Sequence, residues 1–403
     1  MSEDPPVQAA TRDTVRRVVL IIETSRSFGR GCLTGIAAYV RSHGPWSIYQ
    51  HERSSNAEVP AEVRDWRPHG VIARIETDRV AEFVAGLQVP AVDLRCRYHI
   101  NGVARLTVAS ESCVAQALEH FASRGFTRFA FCGYAGIDFS EDRATFFEAA
   151  SRARGIRPVM YTPRVGHKDV NTLEVENEGD AELQALANWL DGLPKPIAIM
   201  ACNDVRGRQL LTAAGMAGIE VPTDVAVLGV DDDEVLCELS MPPLSSVSPN
   251  ARHVGYEAAA LLDDMMAGAP MPTGIQFLPS GPVRVRRSSD VIAVDDLIVS
   301  RAMSFIRDHA CTAITTETVA GQVGVSRATL DRRFAKHVGR SPSDEIFRVR
   351  IARTKQLLED TNYDMTRISE MVGFNSASHL AVAFKRSVRM TLGEYRRTTR
   401  SPS

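Results

Sequence analysis

The sequence predicts a two-lobed α/β domain followed by an all-α domain that carries two helix-turn-helix units. Short apolar runs alternate with amphipathic stretches as far as about Gly281, the alternation then gives way to helix upon helix, and the helical part contains an internal repeat. At 403 residues the chain exceeds one comfortable hydrophobic core, and 44% hydrophobic with 24% charged residues is an ordinary globular balance. No segment has the apolar length of a transmembrane helix, so no membrane partner is expected. The N-terminus opens with Glu3, Asp4 and two prolines and has no apolar run behind a basic start, so a cytoplasmic location is expected. Seven cysteines (Cys32, Cys96, Cys113, Cys132, Cys202, Cys237, Cys311) are scattered without a C-x-x-C pair or nearby paired histidines. They are expected to be reduced and mostly buried, with no metal and no cofactor.

The strand-like runs are Val18–Ile22, Gly70–Ala73, Ala91–Leu94, Phe129–Cys132, Pro196–Met200 and Val225–Gly229, each bounded by Gly, Pro or charge. Between them lie helix-period segments at Gly31–Ser42, Ser112–Arg124, Asp142–Arg154, Asp180–Leu190 and Val205–Ala217. Such alternation implies parallel sheets with helices on both faces, and about 265 residues of it suits two side-by-side lobes. The expected boundaries are a disordered tail at 1–15, the α/β domain at 16–283, a linker rich in Arg, Ser and Asp at 284–296, the helical domain at 297–399 and a short tail at 400–403.

Charge is divided the same way. From Asp295 onward there are 18 Lys+Arg against 12 Asp+Glu, which leaves a net charge of −8 for the part before it. A basic end attached to an acidic domain suits binding of a polyanion. In that end Val319-Ala320-Gly321-Gln322-Val323-Gly324-Val325-Ser326 aligns with Ile368-Ser369-Glu370-Met371-Val372-Gly373-Phe374-Asn375. Leu330, Phe334 and Ser341 then match Leu380, Phe384 and Thr391, with one extra residue at the second turn. Each copy predicts a short helix, a left-handed turn at Gly324 or Gly373, a cap at Ser326 or Ser376, and a second helix fit for the major groove. A long helix at about Ser343–Glu359 joins them.

These residues, with Phe384-Lys385 and the closing Gly393-Glu394-Tyr395-Arg396, resemble the DNA-binding domain of the AraC/XylS family over about Asp295–Thr399. The family usually has proline where this chain has Leu392, so a looser turn is expected there. On the first recognition helix Arg327, Ala328, Asp331 and Arg332 face outward. Arg332 is the expected base reader, because a guanidinium donates two hydrogen bonds to guanine. Asp331 either accepts from cytosine or orients Arg332, while Arg333, Lys336 and Arg340 suit phosphate contacts or solvated charge. The second recognition helix offers fewer donors at Ala377, Ser378, His379, Ala381 and Val382, and Val382 stands where relatives often have a longer polar residue. Lys385 and Arg386 are expected to anchor phosphates there, with modest readout from Ser378 and His379.

In the α/β part, Ala201-Cys202-Asn203-Asp204 follows one strand and Gly229-Val230-Asp231-Asp232-Asp233 the next, at the carboxyl ends where parallel sheets bind ligands. With Asp142-Arg143 and the stretch Gly281–Ser289, this order resembles the effector-binding core of LacI-type repressors and periplasmic sugar-binding proteins over about Arg16–Ser289. A periplasmic-binding-protein-like domain ahead of an AraC-type domain, with no LacI-type unit before it, is the layout of xylose-operon regulators. The resemblance implies a homodimeric transcription regulator, an activator, that binds double-stranded DNA under control of a small sugar-like effector, xylose or a related monosaccharide. Carboxylates, amides and arginine pair well with sugar hydroxyls, so Asn203, Asp231 and Arg143 are the expected ligands, with Asp204 as either ligand or helix cap. Asp232 and Asp233 read most simply as a solvated loop, and Arg143 has a surface pair with Glu141 or Asp142 as its alternative. Phe28, Tyr98, Tyr134 and Phe139 are candidates for an aromatic wall. Where relatives commonly have aspartate near the lobe crossover this chain has Ser110, which leaves the choice of monosaccharide open.

The competing class is a sugar-processing enzyme fused to a DNA-binding domain. The sequence has no G-x-G-x-x-G after its first strand, no P-loop, no nucleophile elbow and no metal-spaced histidines, and so does not predict an enzyme. Ser25–Gly31 lacks P-loop spacing and reads as part of the ligand cleft. Lobe closure about three interlobe crossovers is the expected switch.

Overall fold

The computed structural model describes residues 15–50, 62–161, 172, 175–176, 179–291, 293 and 296–399. The expected tails, apart from Val15, lie outside the described residues. The chain divides into two compact units, Met1–Val291 and Ile292–Ser403. No helix among the described residues is long and apolar enough to cross a membrane.

Among the described residues, the first unit contains two six-stranded sheets. In one, β1 (Arg16–Ile21), β2 (Trp46–Gln50), β3 (Gly70–Ala73), β4 (Ala91–Asp93), β5 (Val103–Val108) and β11 (Ile275–Leu278) lie in the order β2-β1-β3-β4-β5-β11 with every pair parallel. The other has the order β7-β6-β8-β9-β10-β12 and comprises β6 (Phe129–Cys132), β7 (Val159–Met160), β8 (Ile197–Ala201), β9 (Val225–Val230), β10 (Ser245–Val247) and β12 (Val283–Arg284). Only its β10–β12 pair is antiparallel. Every residue of β3, β6, β8 and β9 is buried, which is why these strands read as unbroken apolar runs.

The helices Ser27–His43 and Ala251–Met266 pack closely because glycine removes the side chains between them. A Cβ on Gly35 would lie 1.9 Å from the Arg252 carbonyl oxygen, and one on Gly255 would lie 1.9 Å from that of Cys32. Three helices begin earlier than their apolar periodicity suggests, at Ser27, Ser110 and Asp138. Their first turns carry polar residues that face a cleft, so the amphipathic pattern starts one turn late.

The chain passes between the sheets three times, after β5, before Ala251–Met266, and between β11 and β12. The crossings are tied together: Ala109 N donates to the Leu278 carbonyl at 2.9 Å, Ser280 N to Ser112 Oγ at 2.9 Å, and Gly281 N to the Ser248 carbonyl at 2.8 Å. Residues 284–291, expected as linker, are bound into the second lobe. Ser288 and Ser289 are fully buried, Ser288 Oγ donates to the Val227 carbonyl, and Arg286 pairs with Asp232 and Glu238.

The second unit is helical among its described residues: Leu297–His309, Thr316–Gln322, Arg327–His337, Pro342–Asp360, Met365–Met371, Ala377–Val388 and Leu392–Thr399. The repeat seen in the sequence is repeated in the backbone. Gly324 and Gly373 both have φ +73, Ser326 accepts from Thr329 N, and Ser376 accepts from His379 N. Leu330, Phe334, Leu380 and Phe384 are all fully buried. The turn at Leu392 is tight, contrary to expectation. Thr391 and Glu394 cap the last helix reciprocally, as Ser341 and Asp344 cap Pro342–Asp360, and Leu392 is buried in the core of the second repeat.

Candidate functional site

Between the two lobes of the first unit lies a cavity of about 330 Å³. Its side chains come from one recurring place in the fold. Glu23 follows β1 by two residues, Arg74 and Glu76 follow β3, and Arg95 follows β4 by two. Ser110 follows β5 and Asn203 follows β8 by the same two residues, and Asp231 follows β9 directly. Carboxyl ends of parallel strands open into a crevice, and two facing lobes enclose it.

Charge dominates the lining. Arg74 pairs with Glu23 and, at 3.2 Å, with Glu76. Burial works against the Arg74 charge, but Glu23 and Glu76 hold its guanidinium above the ordinary arginine range. Arg95 donates Nε to Glu76 at 3.0 Å and reaches across to the second lobe, where Nη1 and Nη2 meet the two oxygens of Asp138 at 2.8 and 2.5 Å. Arg26 pairs across the cleft with Glu176, which also accepts from Asn203 Nδ2 at 2.6 Å. Ser27 N donates across the same gap to Asp233 at 3.2 Å.

Arg143 is buried and donates to the Cys202 carbonyl instead of pairing on a surface. Its Nε, with Arg74 Nε and Glu76 Oε2, has no hydrogen-bond partner among the described residues. Buried polar atoms left unpaired cost about 1–3 kcal/mol each, so a cluster of them at one cavity marks a place for a polar ligand. Asp231 has φ +116, an uncommon conformation for a side-chain-bearing residue and one that gathers at ligand sites. Burial raises its carboxyl, while Arg143, Arg74 and Arg26 pull it back.

Asn203, Asp231, Arg143, Asp204, Phe28 and Ser110 all line this cavity. Asp204 is not the cap of the helix Asp204–Met216; Asn203 is, accepting from Arg206 N at 3.0 Å. The Asp204 carboxylate is fully buried and spent within its lobe, accepting from Ser246 Oγ at 2.6 Å and Asp233 N at 2.8 Å. Burial, and then Asp231, push it well above the usual range. Asp232 and Asp233 are not a solvated loop: Asp232 binds Arg286, and Asp233 caps the helix Glu234–Leu239. Of the aromatic candidates only Phe28 and Phe139 face the cavity. Tyr134 is buried and donates to Gln209, and Tyr98 packs on the first lobe's core. Phe139 lies 5.3 Å from the Arg95 guanidinium and 5.2 Å from that of Arg143.

In the second unit Arg332 is exposed on the helix Arg327–His337 and has no side-chain partner among the described residues, while Ala328 is exposed beside it. Asp331 faces Arg327 at 3.5 Å and does not orient Arg332; Arg327 also pairs with Glu317. Arg333 is tied at 2.5 Å to Asp296, the cap of the unit's first helix, and Arg340 pairs with Glu345 at the same distance. Both arginines are thus engaged within the unit. Ser378, His379, Lys385 and Arg386 are exposed on Ala377–Val388, with Arg386 over the Phe347 ring at 5.5 Å.

Residues 118–289 match a periplasmic binding protein-like domain and residues 319–398 a helix-turn-helix domain. The xylose operon regulatory protein of Escherichia coli (strain K12) is 31% identical over 391 residues, covering 94% of this chain and 96% of its own. That of Haemophilus influenzae is 28% identical over 393 residues, covering 94% and 98%. A solved structure of the xylose-binding transcription activator xylR shares the architecture with a TM-score of 0.75 at 29% identity, over 96% of this chain and 99% of that one. A ligand-binding cleft and paired helix-turn-helix units define a ligand-responsive transcription regulator that binds DNA, and not an enzyme. The chain belongs to the family of xylose operon regulatory proteins.

Proposed function

We propose that the chain is a cytoplasmic, homodimeric transcription activator whose DNA binding is switched by a monosaccharide, D-xylose or a close relative, held between the two lobes. The observation that carries this reading is the unpaired, buried hydrogen-bonding capacity of Arg143, Arg74 and Glu76 around one cavity. A pentose presents paired hydroxyls that donate and accept, the pattern these groups lack. Arg143, Asp231, Asn203 and Ser110 hold the hydroxyls, and Phe28 lies against the ring. Asp204 supports the loop from behind. Closure of the lobes brings Arg95 to Asp138 and Arg26 to Glu176, so a bound sugar favours the closed pair and shifts the population toward it. In the second unit Arg332 reads a base, Arg327 and Asp331 flank it, and Lys385 anchors a phosphate with Arg386, Ser378 and His379 beside it.

Calorimetric titration with D-xylose, L-arabinose, D-ribose and D-glucose tests the cleft. One pentose is expected to bind, and Arg143→Ala is expected to weaken it at least tenfold, the loss of a charged hydrogen bond of about 1.5–3 kcal/mol. Binding of none of them, or chemical turnover of any, contradicts the reading.

A further inference from the structure

The internal repeat puts the two recognition helices in register, and at one position their chemistry parts. Leu330 and Phe334 align with Leu380 and Phe384, and all four are fully buried. The residue two past each leucine is therefore matched as well. It is Arg332 in the first unit and Val382 in the second. Val382 is 71% exposed, the most exposed large apolar side chain among the described residues of its unit, ahead of Met371 at 40%. A β-branched residue is a poorer helix former than alanine, so the solvent face of a helix gives no structural reason for it.

Its surroundings are those of a surface that meets a polyanion. Ser378 and His379 lie one turn before it, Lys385 and Arg386 one turn after, and no acidic residue occurs between Ala377 and Val388. The flank toward Phe347 and Thr316 is an open groove of about 430 Å³. In the major groove of DNA, thymine carries a C5-methyl group, the apolar feature a short aliphatic side chain can recognise.

We propose that Val382 is a base-reading residue: the second unit selects thymine through its methyl group, where the first unit selects guanine through Arg332. This rests on the DNA-binding reading above and goes beyond it, because it turns the quieter helix from a phosphate anchor into a specificity element. One consequence is that the two half-sites differ in chemistry, one read by charged hydrogen bonds and the other by shape and methyl contact.

The test uses the full-length chain with D-xylose present and an operator duplex that the wild type selects from a random library. Each thymine is replaced in turn by uracil, which deletes the methyl and leaves every hydrogen bond in place. One such replacement is expected to weaken wild-type binding about fourfold, equivalent to ~0.8 kcal/mol for one buried methyl. Val382→Ala should lose about the same on the parent duplex and nothing further on that uracil duplex, while Arg332→Ala should keep the uracil sensitivity. Circular dichroism should be unchanged for Val382→Ala, since the side chain is outside the core. The proposal is overturned if no uracil position separates wild type from Val382→Ala. It is also overturned if that variant binds every duplex normally yet loses activation in a transcription assay, which would assign Val382 to a protein partner. A wild type that selects no duplex at all would sink the DNA-binding reading first, a result distinct from either.

Discussion

Asp138→Asn isolates one of the ion pairs that bridge the cleft, that of Arg95 with Asp138. Arg95 holds three carboxylate oxygens, one on Glu76 in its own lobe and two on Asp138 in the other, so only the Asp138 half crosses the gap. Asparagine keeps the size of the side chain and the oxygen that accepts from Phe139 N at 2.8 Å. A bidentate charged pair that is fully buried stabilises by a few kcal/mol, but the Asp138 side chain is 39% exposed, so water and salt screen much of the attraction. About 1 kcal/mol remains as the cross-cleft contribution. On the proposal that the sugar binds the closed pair, the variant should bind it about fivefold more weakly, with the contacts to sugar otherwise intact. Calorimetry at two salt concentrations is the assay: wild type should weaken as salt rises, and Asp138→Asn should show a smaller dependence, the remainder carried by Arg26 with Glu176. Equal affinity and equal salt dependence in the two proteins would refute the closure argument.

Arg332→Ala should cost about 1–3 kcal/mol at one base position and relax preference there, whereas Lys385→Ala should weaken cognate and scrambled duplexes alike, both read by fluorescence anisotropy. Asp231→Asn should raise the melting temperature of the sugar-free protein near neutral pH and weaken sugar binding. Its folded carboxyl is raised by burial, so the charge costs stability above that raised value, and the cost declines as pH falls below it and is gone below the unfolded pKa. Asp296 runs the other way. Burial alone would raise its carboxyl, but hydrogen bonds from Val299 N, Arg333 and Ile298 N hold it below the ordinary value. Its contribution is present above the unfolded pKa and is lost as pH falls through the lower, folded one. Asp296→Ala should therefore flatten the acid limb of the second unit's thermal stability, as measured by calorimetry from pH 2 to 6.

Sequence shows most readily what is local or repeated. The central strands stand out because each is covered on both faces and so is apolar throughout. The strands β2, β5, β7, β10, β11 and β12 are absent from the sequence reading for a physical reason: they are short, half-exposed or polar, as Ser245-Ser246-Val247 illustrates. The helix-turn-helix pair was legible down to its glycines and serine caps, since the second copy vouches for the first.

The cleft was legible only where a motif marked it. Asn203, Asp231, Arg143, Phe28 and Ser110 were named, but Glu23, Arg74, Glu76, Arg95, Asp138 and Glu176 were not. Their pairing joins residues 43 apart, as in Arg95 with Asp138, or 150 apart, as in Arg26 with Glu176, and no local pattern carries that. One signal was available: Glu23, Arg74 and Arg95 stand within two residues of strand ends that the sequence did show. The cap fell to Asn203 and not to Asp204 because both can cap a helix, and only the buried bonds from Ser246 and Asp233, which occupy the Asp204 carboxylate, separate them.

The most direct measurement is the affinity of the full-length protein for its selected operator, titrated by anisotropy with and without D-xylose and its pentose isomers. A saturable change of affinity with one pentose, lost in Arg143→Ala while that variant still binds DNA in the absence of sugar, is the predicted result. An operator affinity that no pentose alters would contradict the account.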